Sequence, residues 1–101
     1  MSEQGERPSI LVHAEGDHVG VAVLDLEPGR HVVGWMDSGR RDTLEVVQAV
    51  PLGHKVALVD LAEGAQVLEY GLPVAVTKEA IPKGTHVHVH NIRSGRWAKS
   101  A

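Results

Sequence analysis

The sequence predicts a small all-β domain, and three observations point to it. Val dominates the apolar residues, there is no Phe, and Trp35, Trp97 and Tyr70 are the only aromatics. Such β-branched side chains pack well on a pleated surface and lose rotamer freedom in helices. Eleven glycines and five prolines supply frequent turns. The third observation is a weak internal repeat. Leu26/Gly29/Val32, Val50/Gly53/Val56, Leu61/Gly64/Val67 and Ile81/Gly84/Val87 share one spacing, apolar-x-x-Gly-x-x-Val. In each, the apolar residue plugs a core before a tight turn that needs Gly at positive φ, and the Val restarts a strand. Pro28, Pro51 and Pro82 lie in or beside these turns, where a fixed φ suits the first turn position. The corners recur at unequal intervals, so the pattern describes a compact barrel or sandwich and not a solenoid.

The elements follow in order. Residues 1–8 are polar and read as a disordered leader. Residues 10–13 form a first strand, Gly16-Asp17 turns the chain, and residues 19–24 return as a second. Residues 44–50 are apolar enough for a strand or a short helix, and periodicity does not separate the two. Residues 55–59, 65–70, 73–77 and 86–91 are further strands bounded by Gly and Pro. Residues 9–92 thus form one domain, followed by a basic tail, 93–101, that carries Trp97.

A chain of 101 residues buries only about 60–70% of the surface it exposes when unfolded. A deep cleft would take residues from so small a core, so a binding site here is expected to be shallow or completed by a partner. The formal charge of −3 recommends no nucleic acid. The absence of Cys excludes disulfides, thiolate metal sites and a thiol nucleophile. No signal peptide or membrane span is recognisable, which makes the cytoplasm the expected location.

Seven histidines in a chain of this length are unusual, and three of them alternate in His86-Val87-His88-Val89-His90-Asn91. On a strand those three share one face while Val87 and Val89 share the other, which would be the core face. Two imidazoles at i and i+2 can ligate one divalent metal, although no Asp or Glu lies within the segment to complete a facial triad. The plainer reading makes the histidines a solvated face. A second candidate is Pro51-Leu52-Gly53-His54-Lys55, where a proton-exchanging His and an anion-binding Lys follow a Gly turn. His13 and Asp17, four residues apart, read first as a turn capped by its own Asp. Arg40-Arg41 and Arg93/Arg96 could hold an anion but read more simply as solvated charge.

Several segments together resemble one known family. Val12-His13-x-x-Gly-Asp-x-Val-Gly-Val-Ala-Val, Pro51-Leu52-Gly53-His54-Lys55-Val56-Ala57-Leu58, Glu69-Tyr70-Gly71 and Gly84-Thr85-His86-Val87-His88-Val89-His90-Asn91 occur in that order. The set, spanning about residues 10–92, is similar to the small subunit or N-terminal domain of the altronate and galactarate dehydratases, which include the sulfolactate sulfo-lyases. The Gly34-Trp35-Met36-Asp37 connection and the Arg93-Ser94-Gly95-Arg96-Trp97 tail resemble the separately encoded sulfo-lyase small subunits most. The resemblance implies a β-clip (SAF-like) domain, and a lyase accessory subunit that is inactive without its large catalytic subunit. It implies β-elimination from a small anionic 2-hydroxy acid: sulfite leaving (2R)-sulfolactate to give pyruvate, or water leaving a sugar acid such as altronate. It also implies a divalent metal, Fe2+, held mainly by the large subunit. Carried onto this sequence, His54 and Lys55 become the expected catalytic residues. His13, Asp17, His88 and Asn91 become substrate-binding residues, and His90 a metal ligand. His86 departs from the residue common at its position, so the resemblance does not carry it. A free-standing module that binds a metal or a sugar acid is the alternative outside catalysis.

Overall fold

The computed structural model describes residues 7–94, which hold nine strands and no helix. They are β1 (Ile10–Val12), β2 (Val19–Ala22), β3 (Gly29–Trp35), β4 (Arg41–Val46), β5 (Lys55–Ala57), β6 (Gln66–Glu69), β7 (Leu72–Thr77), β8 (His86–Val87) and β9 (Ile92–Ser94). A six-stranded sheet runs β4-β3-β1-β2-β5-β8 and a three-stranded sheet runs β6-β7-β9. All pairings are antiparallel except β1 with β3. No helix among the described residues is long and apolar enough to cross a membrane.

The four Gly corners found in the sequence pair off in space. Leu26 exchanges both backbone hydrogen bonds with Val50 (2.8 and 3.0 Å), and Leu61 does the same with Ile81 (both 2.8 Å). Each pair is tied again by an aspartate next to its first member. The Asp25 carboxylate accepts the Leu52 N–H and the Asp60 carboxylate accepts the Lys83 N–H, both at 2.8 Å. All four leading apolar residues are buried, and Gly29, Gly53, Gly64 and Gly84 all have positive φ. The corners are therefore two copies of one construction.

Two apolar cores result, one containing Ile10, Val12, Leu26, Val33, Val46, Val50 and Val56, the other Val19, Ala57, Leu61, Val67, Ile81 and Val87. Neighbours on β5 serve different cores, since Val56 joins the first and Ala57 the second, and both are fully buried. The strand alternation thus feeds two sides of one wall. β5, which follows His54 directly, is fixed on both faces.

Several boundaries depart from the sequence reading. The ambiguous stretch 44–50 is strand to Val46, because it pairs along β3 from Gly29↔Val46 to Gly34↔Arg41; Val50 is a separate corner. β3 runs from Gly29 to Trp35, longer than the restart expected at Val32, because pairing with β1 and β4 overrides the break that Arg30 and His31 put in the apolar pattern. The strand expected over 86–91 ends at Val87, and Val89, expected in the core, is 70% exposed. There the chain leaves the sheet in a turn, so alternation no longer applies. Of the expected tail, Arg93 and Ser94 belong to β9 and pair with Val76 and Ala75. Of the expected leader, Pro8 packs over Gly34. Residues 1–6 and 95–101, with Arg96 and Trp97, lie outside the described residues.

Candidate functional site

β5 and β8 bring the histidines together. Gly53, at φ 86°, turns the chain after Pro51, and its N–H donates to the Ala22 carbonyl at 2.8 Å. The His54 carbonyl accepts the Ala22 N–H at 2.9 Å, which pins His54 to the end of β2. β8 then pairs with β5 in the register Val56↔His86 and Lys55↔Val87. This pairing brings the residues just outside the two strands, His54 before β5 and His88 after β8, to the same end of the pair, with His86 beside them. The rings follow this layout. His54 and His88 stack with centroids 4.0 Å apart and planes at 19°, and His54 and His86 stack at 5.0 Å. His54 Nδ1 and His86 Nε2 are 2.8 Å apart, so one ring donates an N–H to the lone pair of the other. His90 joins at the margin, its ring 5.1 Å from that of His86.

Backbone hydrogen bonds hold this group in place. The buried Asn91 side chain accepts the His88 N–H at 2.9 Å and donates to the His86 carbonyl at 2.8 Å. The Gln48 side-chain oxygen accepts the His86 N–H at 2.9 Å. Burial, and then the neighbouring histidines, push the His86 and His88 imidazoles below the usual histidine range. Lys55 adds a smaller push on His88. Near neutral pH these two rings are uncharged and offer lone pairs, which is the state a metal needs.

A second cluster lies beside the first. Lys55 Nζ is 3.7 Å from Glu69 Oε1 at the end of β6, where a register shift between Val67 and Leu68 re-aims the strand. Asp17 organises the turn that follows. Its two carboxylate oxygens accept the N–H groups of Tyr70 and Gly71 (both 2.9 Å) and of Ala14 (3.3 Å). Those bonds hold Tyr70 at φ 60°, a region a bulky side chain rarely enters. The His13 ring packs on the Tyr70 ring at 3.9 Å. Asp17 and Asn91, expected to touch substrate, are both buried and hydrogen-bonded within the chain. In both, the side-chain polar atoms bond to backbone groups of this chain. His13, His54, Lys55, His88 and His90 stay accessible in varying degree.

A cavity of about 270 Å³, lined by Asp17, His18, Trp35, Arg40, Leu58 and Lys83 among others, contains none of His54, His86 and His88. His54, His86 and His88 are each half-buried, and exposed apolar residues flank them in the chain: Leu52 (59% exposed) before His54 and Val89 (70%) between His88 and His90. Sequence reasoning undervalued His86, although the alternation already put it on the face of His88. It also missed Glu69, which stood in the Glu-Tyr-Gly segment, and Gln48, for which no local pattern exists.

The profile of the altronate/galactarate dehydratase SAF domain matches residues 8–95, nearly the whole chain. The chain belongs to this family. Among the relatives of this SAF domain is the (2R)-sulfolactate sulfo-lyase subunit alpha of Chromohalobacter salexigens. It is 43% identical over 89 residues, which covers 86% of this chain and 95% of that subunit. The altronate dehydratase of Escherichia coli is 44% identical over 85 residues, 84% of this chain but only 16% of the enzyme. The galactarate dehydratase (L-threo-forming) of the same organism is 37% identical over 80 residues, 14% of its length. This SAF domain is thus similar to a whole subunit in one relative and to a small part of a larger enzyme in two others.

Proposed function

We propose that this chain is the accessory small subunit of a cytoplasmic two-part lyase that eliminates sulfite from (2R)-sulfolactate to give pyruvate. One observation carries the reading: the chain matches a stand-alone sulfo-lyase subunit over 95% of that subunit's length. Its own geometry agrees with a part that needs completing. His54, Lys55, His86 and His88 are half-buried, and next to them in the chain Leu52 and Val89 are exposed apolar residues, the kind of mixed patch that a partner covers.

In this reading the proton on the carbon bearing the hydroxyl and carboxylate is removed, the neighbouring C–S bond breaks, and sulfite leaves with the bonding pair. The enol so formed becomes pyruvate by taking a proton on carbon. Lys55 supplies a positive charge for an anionic end of the substrate, with its Nζ 3.7 Å from the Glu69 carboxylate. His54 exchanges a proton or neighbours the metal. A divalent metal, Fe2+, fits the donor chemistry of these uncharged imidazoles and would supply the charge that makes so weak a carbon acid ionisable. Most of the remaining machinery belongs to the large catalytic subunit.

The test is an assay of pyruvate from this chain alone, and then mixed with its large subunit, in the presence of Fe2+ and sulfolactate. Pyruvate from the mixture alone is the expected result. Lys55→Ala should abolish turnover and leave assembly with the large subunit intact; equal turnover would remove Lys55 from the mechanism. The similarity to altronate dehydratase favours a second reading, in which the leaving group is water and the substrate a sugar acid. Turnover of altronate in place of sulfolactate by the same mixture would decide for it.

A further inference from the structure

We propose that His54, His86 and His88 form a divalent transition-metal site that this chain carries by itself. Each ring offers one nitrogen, and the three nitrogens lie within 4.8 Å of one another. Two of them, His54 Nδ1 and His86 Nε2, are already 2.8 Å apart and aimed at each other. Two imidazole nitrogens bound to one tetrahedral metal at ~2.0–2.1 Å lie about 3.3 Å apart. The pair must therefore open by a few tenths of an ångström while the His88 nitrogen moves in by a ring rotation. The proton in the His54–His86 hydrogen bond moves to the far nitrogen of its ring, a change of tautomer with no net charge.

The support of the site is as informative as its ligands. The backbone of His86 is held from two sides, by Gln48 and by Asn91, and the backbone of His88 by Asn91. His54 is tied to β2 by the Ala22 N–H that its carbonyl accepts, and its own N–H is used on the Pro51 carbonyl. Ligands placed this way lose little freedom when a metal binds, which is the usual part of the outer shell in metal sites. The donor set is three imidazole nitrogens with no carboxylate or thiolate, which suits Zn2+, Co2+, Ni2+ or Fe2+ and not Mg2+ or Ca2+. Three protein ligands leave at least one position of a tetrahedral metal free, the pattern of a reactive site and not of a structural one.

This assigns ligand roles to His54, His86 and His88 and leaves His90 at the margin, where the expected ligand was His90 and the expected holder the large subunit. The inference does not rest on the lyase reading. Co2+ titrated into the metal-free full-length chain, without a large subunit, should give visible d–d absorption that saturates at one ion per chain. Calorimetry with Zn2+ should give the same stoichiometry. His86→Gln and His88→Gln should each weaken binding at least tenfold, and His90→Gln should leave it within about twofold. In the unmutated chain, Co2+ should broaden the imidazole resonances of His54, His86 and His88 first, a readout that needs no variant to fold. No binding, binding unchanged in both His86→Gln and His88→Gln, or broadening centred on other histidines would overturn the site. Pyruvate formation by a mixture whose small subunit binds no metal would overturn it too and leave the lyase reading standing.

Discussion

The amide of Asn91 makes both of its hydrogen bonds to the backbone of residues whose rings face the site, and it is 2% exposed. Asn91→Ala would leave the His88 N–H and the His86 carbonyl without partners in a place water reaches poorly. A buried group left unpaired costs about 1–3 kcal/mol, so urea denaturation should show a stability loss of that order. An unchanged midpoint would mean that the backbone bonds from Asn91 and Ile92 to the His88 carbonyl hold the turn unaided. This residue also shows the limit of reading a site from sequence. A polar side chain three residues after a histidine suits a ligand contact and a local backbone clamp equally well, and the spacing does not choose. The same holds for Asp17, whose carboxylate bonds to Tyr70 and Gly71 across more than fifty positions of chain, a pairing no local pattern contains.

At the scale of elements, the Gly corners were legible because their cause is local. Each needs a residue without Cβ at positive φ, followed by a β-branched residue to restart the strand. Gly84 carries a second demand that the sequence did not reveal. A Cβ there would stand 2.2 Å from the Glu45 carbonyl oxygen, because the turn before β8 lies against the end of β4. The Gly84 carbonyl accepts the Val47 N–H at 2.9 Å across the same contact. Gly84→Ala is thus strained in φ at 85° and blocked in space. It should lower stability by more than the ~1 kcal/mol of a simple Gly-to-Ala change at positive φ and displace β8 with His86 and His88. Thermal denaturation, with the His54–His88 ring contact followed by NMR, checks both. A variant of full stability with that contact intact would show that β4 and β8 yield to each other freely. The extent of the histidine strand was misread for the complementary reason. Alternation of His and Val persists in the sequence to His90, but the sheet ends at Val87, where no further strand offers pairing.

Across the whole molecule, the family was legible because its motifs keep their order along nearly all of the chain, and two cores built on one wall explain why so small a domain can hold rings rigidly on its surface. Charge is the property that these levels share. His86 and His88 are held below the ordinary histidine range by burial first and by their neighbours second, so folding favours their neutral forms. The unfolded chain, with histidines near the usual value of about 6.5, therefore binds more protons than the folded one as pH falls past that value. Stability then rises with pH in this window: the contribution is complete above about 6.5 and is lost as pH falls through the lowered folded-state values. Melting the metal-free chain from about pH 8 down to about pH 5.5, above the ordinary carboxylate range, should give a level midpoint at the upper end and a falling one below about 6.5. In the His86→Gln/His88→Gln double variant the fall should be shallower, since Gln cannot take up a proton. A slope identical in both proteins would mean that His86 and His88 do not carry the pH response. A slope that inverts would mean that the protonated cluster is stabilised, as by an anion bound between Lys55 and the imidazoles.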